Sequence, residues 1–180
     1  MNSESAQVKL HTFMRTDLPR SENLTQVEKL IKDVDQILNA DSVLASIKEA
    51  HIFNATSQKI QDVILEDLSM LGFVSEKKGL FADSPVASIR PDYYKSLSGG
   101  GVLFEVERGK TIANNMDLLD VWKTHICAEA RHLFLLVPQI RVSEKGGKQK
   151  IYDSVLNRLS VFFKPELSPI EVDTVTVFGY

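Results

Sequence analysis

Residues 89–111, IRPDYYKSLSGGGVLFEVERGKT, hold the side chains best suited to chemistry. Asp92 follows Pro91 on one expected strand, 87–94, and Glu105 and Glu107 lie on the next, 102–107. Side chains alternate along a strand, so Glu105 and Glu107 share one face while Phe104 and Val106 take the other. If the strands pair through the turn at Gly99, Gly100 and Gly101, Asp92 falls beside Glu105. Carboxylates that close repel unless a cation sits between them. Three convergent acids with open positions suit Mg2+ or Mn2+, which prefer a few carboxylates plus water and substrate phosphate. Such an ion polarises a phosphoryl oxygen and supplies hydroxide near neutral pH, so the expected chemistry is phosphodiester hydrolysis. The competing reading is a plain solvated strand face, against which the preceding Pro–Asp and the apolar Phe104 and Val106 both count.

Other motifs carry less. Gly109-Lys110-Thr111 lacks the glycine that a phosphate-binding loop needs five positions before Gly109, where Phe104 stands. His125 and Cys127 are two apart on an expected helix and point to different faces, which argues against zinc. Trp122 reads as a core anchor, and Arg108 and Lys110, outside any motif, as solvated charges. Thr111 or Asn114 is expected to cap the helix, whose positive end Asp117 and Asp120 would favour. The basic loop 141–150, with Arg141, Lys145, Lys148 and Lys150, is the best candidate for contact with a nucleic-acid backbone.

Residues 57–138 resemble the PD-(D/E)xK nuclease superfamily, in the order helix, three strands, helix, strand and in Pro91-Asp92 one strand before Glu105-x-Glu107. The resemblance implies a restriction-endonuclease-like core, with Asp92 and Glu105 as metal ligands and the carbonyl of Val106 completing part of the shell. It also implies an acidic residue on the first core helix, for which Glu66 is the best placed. The superfamily's usual lysine is here Glu107, as in its BamHI-type members, so Glu107 becomes a ligand or general base. Alternatively the lysine has moved, to Lys110 just past the strand or to Lys123 on the following helix, and Lys110 is nearer in sequence. The implied substrate is nucleic acid, double-stranded DNA first, cut by a homodimer. The alternative is a nuclease fold that has lost turnover and serves binding or assembly.

These residues need a scaffold. Leu24, Val27, Leu30, Ile31, Val34, Ile37 and Leu38 recur at helical spacing behind Ser21, a natural N-cap. A shorter helix is expected over 42–50, and another over 57–71 that stops at Gly72. Short strands follow at 73–77, 80–81, 87–94 and 102–107, and then a helix over 114–131 with Leu118, Leu119, Trp122, Ile126 and Ala130 on one face. The apolar run 132–138 reads as a strand covered on both sides, followed by a helix over 151–163 and a strand over 170–177. The expected fold is therefore α/β, a mixed β-sheet flanked by helices, in one domain over 21–180 behind a peripheral arm at 1–20. A 180-residue chain with 43% apolar and 25% charged residues suits one ordinary globular domain. The net charge of -3 excludes a generally basic coat but not a local basic rim. The single cysteine, Cys127, points to a reducing cytoplasm, and no apolar stretch is long enough to span a membrane.

Overall fold

The computed structural model describes residues 7–52, 56–75, 81, 89–108, 110–142, 146–164 and 170–180. Three helices come early: α1 (Glu22–Leu38), α2 (Asp41–Ala50) and α3 (Ser57–Met70). Ser21 caps α1, its hydroxyl accepting from the Leu24 N–H at 3.1 Å, as its residue type and position imply. Helix α3 ends where Gly72 turns left-handed at φ +84° and Phe73 N–H returns to the Leu68 carbonyl.

The strands are β1 (Lys9–Met14), β2 (Val74–Ser75), β3 (Tyr93–Lys95), β4 (Gly101–Val106), β5 (Ala130–Val137) and β8 (Thr174–Gly179), in one sheet ordered β1-β8-β5-β4-β3-β2. β4, β5 and β8 run parallel, and the remaining pairs are antiparallel. Between them lie α4 (Met116–Ile126), the hairpin β6 (Ile140–Val142) and β7 (Lys148–Lys150), α5 (Ile151–Leu159) and a 3-10 turn over Ser160–Phe163. The molecule is thus α/β, with a mixed sheet flanked by helices. No helix among the described residues is long and apolar enough to cross a membrane.

The alternation of β4 and β5 sorts the core onto two sides. Val102, Phe104, Phe134 and Phe178 pack with α1, α2 and α3, the three phenyl rings in mutual contact at 5.6–6.3 Å between centroids. Leu103, Leu133, Leu135, Val175 and Val177 face α4 and α5. All six residues of β4 are buried, Glu105 among them at 4% exposure.

Several expectations are corrected. The segment expected to be a peripheral arm includes β1, which pairs antiparallel with β8 from Lys9↔Gly179 to Met14↔Thr174. It is an edge strand with four exposed and two half-buried residues, so its sequence carries no buried stripe. The expected strand over 87–94 forms only from Tyr93, and 76–80 and 87–88 lie outside the described residues. The helix expected to run to Arg131 stops at Ile126, because 130–137 belong to β5. The two ends of the expected basic loop pair as the strands β6 and β7, and 143–145 lie outside the described residues.

One polar chain, buried at its His132 end, ties the glycine turn to the rest. Asn23 Nδ2 donates to the carbonyls of Ser98 (2.8 Å) and Gly100 (3.0 Å), while its Oδ1 lies 2.7 Å from His132 Nε2. The amide oxygen must accept, so Nε2 carries the histidine proton and Nδ1 accepts from the Thr174 hydroxyl at 2.9 Å. Burial, and then the charge of Arg131, push His132 from 6.5 down to about 4. The folded state therefore disfavours imidazolium. The stabilisation is full above pH 6.5 and is lost as pH falls through about 4. Chemical denaturation at stepped pH is expected to show a decline of about 3 kcal/mol over that window, missing from His132→Gln. Parallel pH profiles of the two proteins would sink this assignment.

Candidate active site

Antiparallel pairing of β3 with β4, Tyr93↔Phe104, brings the preceding residue Asp92 against Glu105. The two are tied reciprocally. Asp92 N–H donates to Glu105 Oε2 at 3.2 Å, and Val106 N–H donates to Asp92 Oδ2 at 2.7 Å. The pair sits at the carboxyl end of the central parallel strands, where α/β sheets usually place their ligand crevice.

Helix α4 supplies the partner. Lys123 Nζ lies 2.7 Å from Glu105 Oε1 and 3.1 Å from Asp120 Oδ1. Asp120 is 1% exposed, and its second oxygen, Oδ2, has no hydrogen-bond partner among the described residues. Burial first, and then the charge of Asp120, push Glu105 well above the usual carboxylate range, with Lys123 opposing. Burial, Asp120 and Asp92 push Glu107 up to about 8. Asp120 is raised by burial, against the pull of Lys123. Burial alone would lower Lys123, but Glu105 and Asp120 outweigh it and leave the ammonium held above its ordinary value.

Of the expected site residues, Asp92, Glu105 and Val106 come together, and Glu107 follows one residue beyond the end of β4. The expected convergence of three acids is a joined pair instead. Among the described residues no three His, Cys, Asp or Glu side chains are arranged to hold a metal. Lys110 is exposed in the turn before α4 and makes no ion pair with the acids among the described residues. The lysine that reaches Glu105 is Lys123. Glu66 is exposed on α3. A small cavity beside Asp92, of about 10 Å³ and thus room for roughly one water, is lined on the α3 side by Gln58, Gln61, Asp62 and Leu65. Arg108 is buried rather than solvated, its guanidinium donating to the Ile52 carbonyl.

Helix α4 is oriented against its own apolar pattern. Asp117, Asp120, Val121 and Thr124 are buried, while Leu119, Trp122 and Ile126 are each about half exposed. Trp122 is therefore no core anchor. Arg158 of α5 explains part of this: its Nε lies 2.9 Å from Asp117 Oδ2, an ion pair rather than an aligned hydrogen bond. The residue before the helix is Asn115 at φ +56° with no side-chain cap, so neither Thr111 nor Asn114 caps α4. His125 Nδ1 accepts from the Glu171 N–H, and Cys127 is a buried free thiol.

The basic hairpin leaves the same end of the sheet as Glu105, since β6 begins three residues after β5 ends and β5 is parallel to β4. Lys148 and Lys150 are exposed there and Arg141 is half-buried, while Lys145 lies outside the described residues.

The donor chemistry around the pair fits a hard divalent cation. The available donors are carboxylate oxygens, the type such an ion takes, and one of them, Asp120 Oδ2, is buried without a partner among the described residues. The chain matches no protein-family model, and no curated protein or solved structure matches it either.

Proposed function

We propose that the chain is a divalent-metal-dependent nuclease that hydrolyses phosphodiester bonds, with double-stranded DNA as the first substrate to test. The observation that carries this reading is Lys123 Nζ at 2.7 Å from Glu105, whose other oxygen accepts from the Asp92 N–H. Two acids and a lysine at the end of a central strand are the parts such a site needs. The lysine arrives from a helix, which accommodates Glu107 in its usual place. The element order α3-β2-β3-β4-α4-β5 is the one implied by the resemblance to PD-(D/E)xK nucleases, and it supports the reading.

Asp92 and Glu105 would hold Mg2+ or Mn2+, with Glu107 as a further donor or proton acceptor. When bound, the ion supplies Lewis-acid activation of the phosphoryl oxygen and of a water. Lys123 presents a fixed ammonium to the negative charge that grows on the phosphate in the transition state. Lys148 and Lys150, exposed at the same end of the sheet, would meet the backbone and make binding salt-dependent. Cutting both strands would engage two copies of the chain. The test is cleavage of supercoiled, linear and single-stranded DNA and of RNA with Mg2+ or Mn2+, alongside calorimetry with Mn2+. Cleavage with millimolar-or-tighter Mn2+ binding is expected; intact substrates in every condition would end the proposal.

A second reading follows from the same ammonium. Lys123 already neutralises Glu105 and Asp120, so the cluster would be structural and the chain a binding or assembly module on a nuclease-like scaffold. No Mn2+ binding at millimolar concentration, together with retained DNA binding, would favour it.

A further inference from the structure

We infer that Asp120 is a positioning residue, which clamps the Lys123 ammonium in place against Glu105. This deepens the nuclease reading and rests on Asp92, Glu105 and Lys123 forming one reaction site.

The side chain of Lys123 is 23% exposed and has four rotatable bonds, so nothing in its own chemistry keeps Nζ directed at the sheet. Two carboxylates from different elements hold it: Glu105 from β4 at 2.7 Å, and Asp120 from one turn earlier on α4 at 3.1 Å. Glu105 alone would fix the distance but leave the ammonium free to swing around that oxygen. The second carboxylate removes that freedom and sets the direction.

The local role expected for Asp120 does not account for it. It is the fifth residue of α4, beyond the first turn where an acid meets free N–H groups, and its side chain bonds no backbone donor among the described residues. The Thr124 hydroxyl bonds the Asp120 carbonyl at 2.9 Å, which leaves the carboxylate to the lysine. A charge that is 1% exposed, with Oδ2 lacking any partner among the described residues, is costly to keep for helix formation alone. Its placement is explained by where it puts Nζ.

The test uses the full chain and Asp120→Asn, which keeps the shape and removes the charge. A held ammonium exchanges slowly enough to give a lysine signal in proton–nitrogen spectra at neutral pH, assigned by its absence from Lys123→Gln. The signal is expected to vanish in Asp120→Asn while the amide spectrum stays folded. Cleavage is expected to lose kcat on the order of 100-fold with KM within about twofold, since a misplaced group harms the transition state more than binding. Asp120→Glu, which restores the charge, should regain part of both. If Asp120→Asn does not fold, Asp120→Ser repeats the measurement with the same two outcomes. An unchanged ammonium signal and unchanged kcat overturn the clamp. If no protein cleaves, yet the signal still depends on Asp120, the clamp stands and the nuclease reading falls.

Discussion

Under the proposed nuclease reading, Asp92→Asn is expected to lower metal-dependent cleavage by about 1,000-fold or more while leaving the fold intact. Removing a charged ligand forfeits several kcal/mol of transition-state stabilisation, and each 1.36 kcal/mol is tenfold in rate. The amide is the informative replacement. Asp92 Oδ2 accepts the Val106 N–H at 2.7 Å, and an asparagine carbonyl oxygen can still accept it. Alanine would leave that buried donor unpaired and weaken the β3–β4 edge, mixing a folding defect with a chemical one. Initial rates on plasmid DNA, Mn2+ calorimetry and a thermal melt separate the two. A variant that cuts at the wild-type rate with unchanged Mn2+ affinity would remove Asp92 from the site.

Lys123→Met should produce the largest loss of stability. The substitution leaves Glu105 (4% exposed) and Asp120 (1% exposed) without their cation. Breaking a buried pair from one side costs about 3–5 kcal/mol, which in a chain this long lowers Tm by roughly 10 °C. The deficit should depend on pH with a definite sign. Both carboxyls are raised above their ordinary values by burial, so the folded state binds their protons more tightly than the unfolded chain does. Such groups favour folding below their unfolded pKa and cost stability as pH rises through the folded one. Removing the lysine widens that gap. The Tm difference between variant and wild type is therefore expected to grow as pH rises and to shrink as pH falls toward the ordinary carboxylate range. Equal melting at every pH would mean that the ammonium does not compensate the two acids.

Part of this was legible in the residues. The stripe behind Ser21, the Gly72 stop, the alternating β4 and the apolar β5 are local patterns, and each became the expected element. The meeting of Asp92 with Glu105 was legible for the same reason: a glycine turn and a period of two decide which residues oppose each other. β1 was not, because its pairing with β8 spans most of the chain and its mostly exposed side chains leave no stripe.

The face that α4 turns inward and the lysine that reaches Glu105 were decided by tertiary structure alone. Periodicity marks Leu119, Trp122 and Ile126 as the apolar side of that helix, but not what its neighbours require. Glu105 on the sheet and Arg158 on α5 present charges, and leaving the buried Glu105 unpaired would cost several kcal/mol. Exposing half of three apolar side chains has a comparable cost, at about 25 cal/mol per Å², so the charges can decide which face turns inward. The helix therefore buries Asp117 and Asp120 and brings Lys123 to the strand. Lys110 is closer along the chain; the distance that matters is measured across the packed interface.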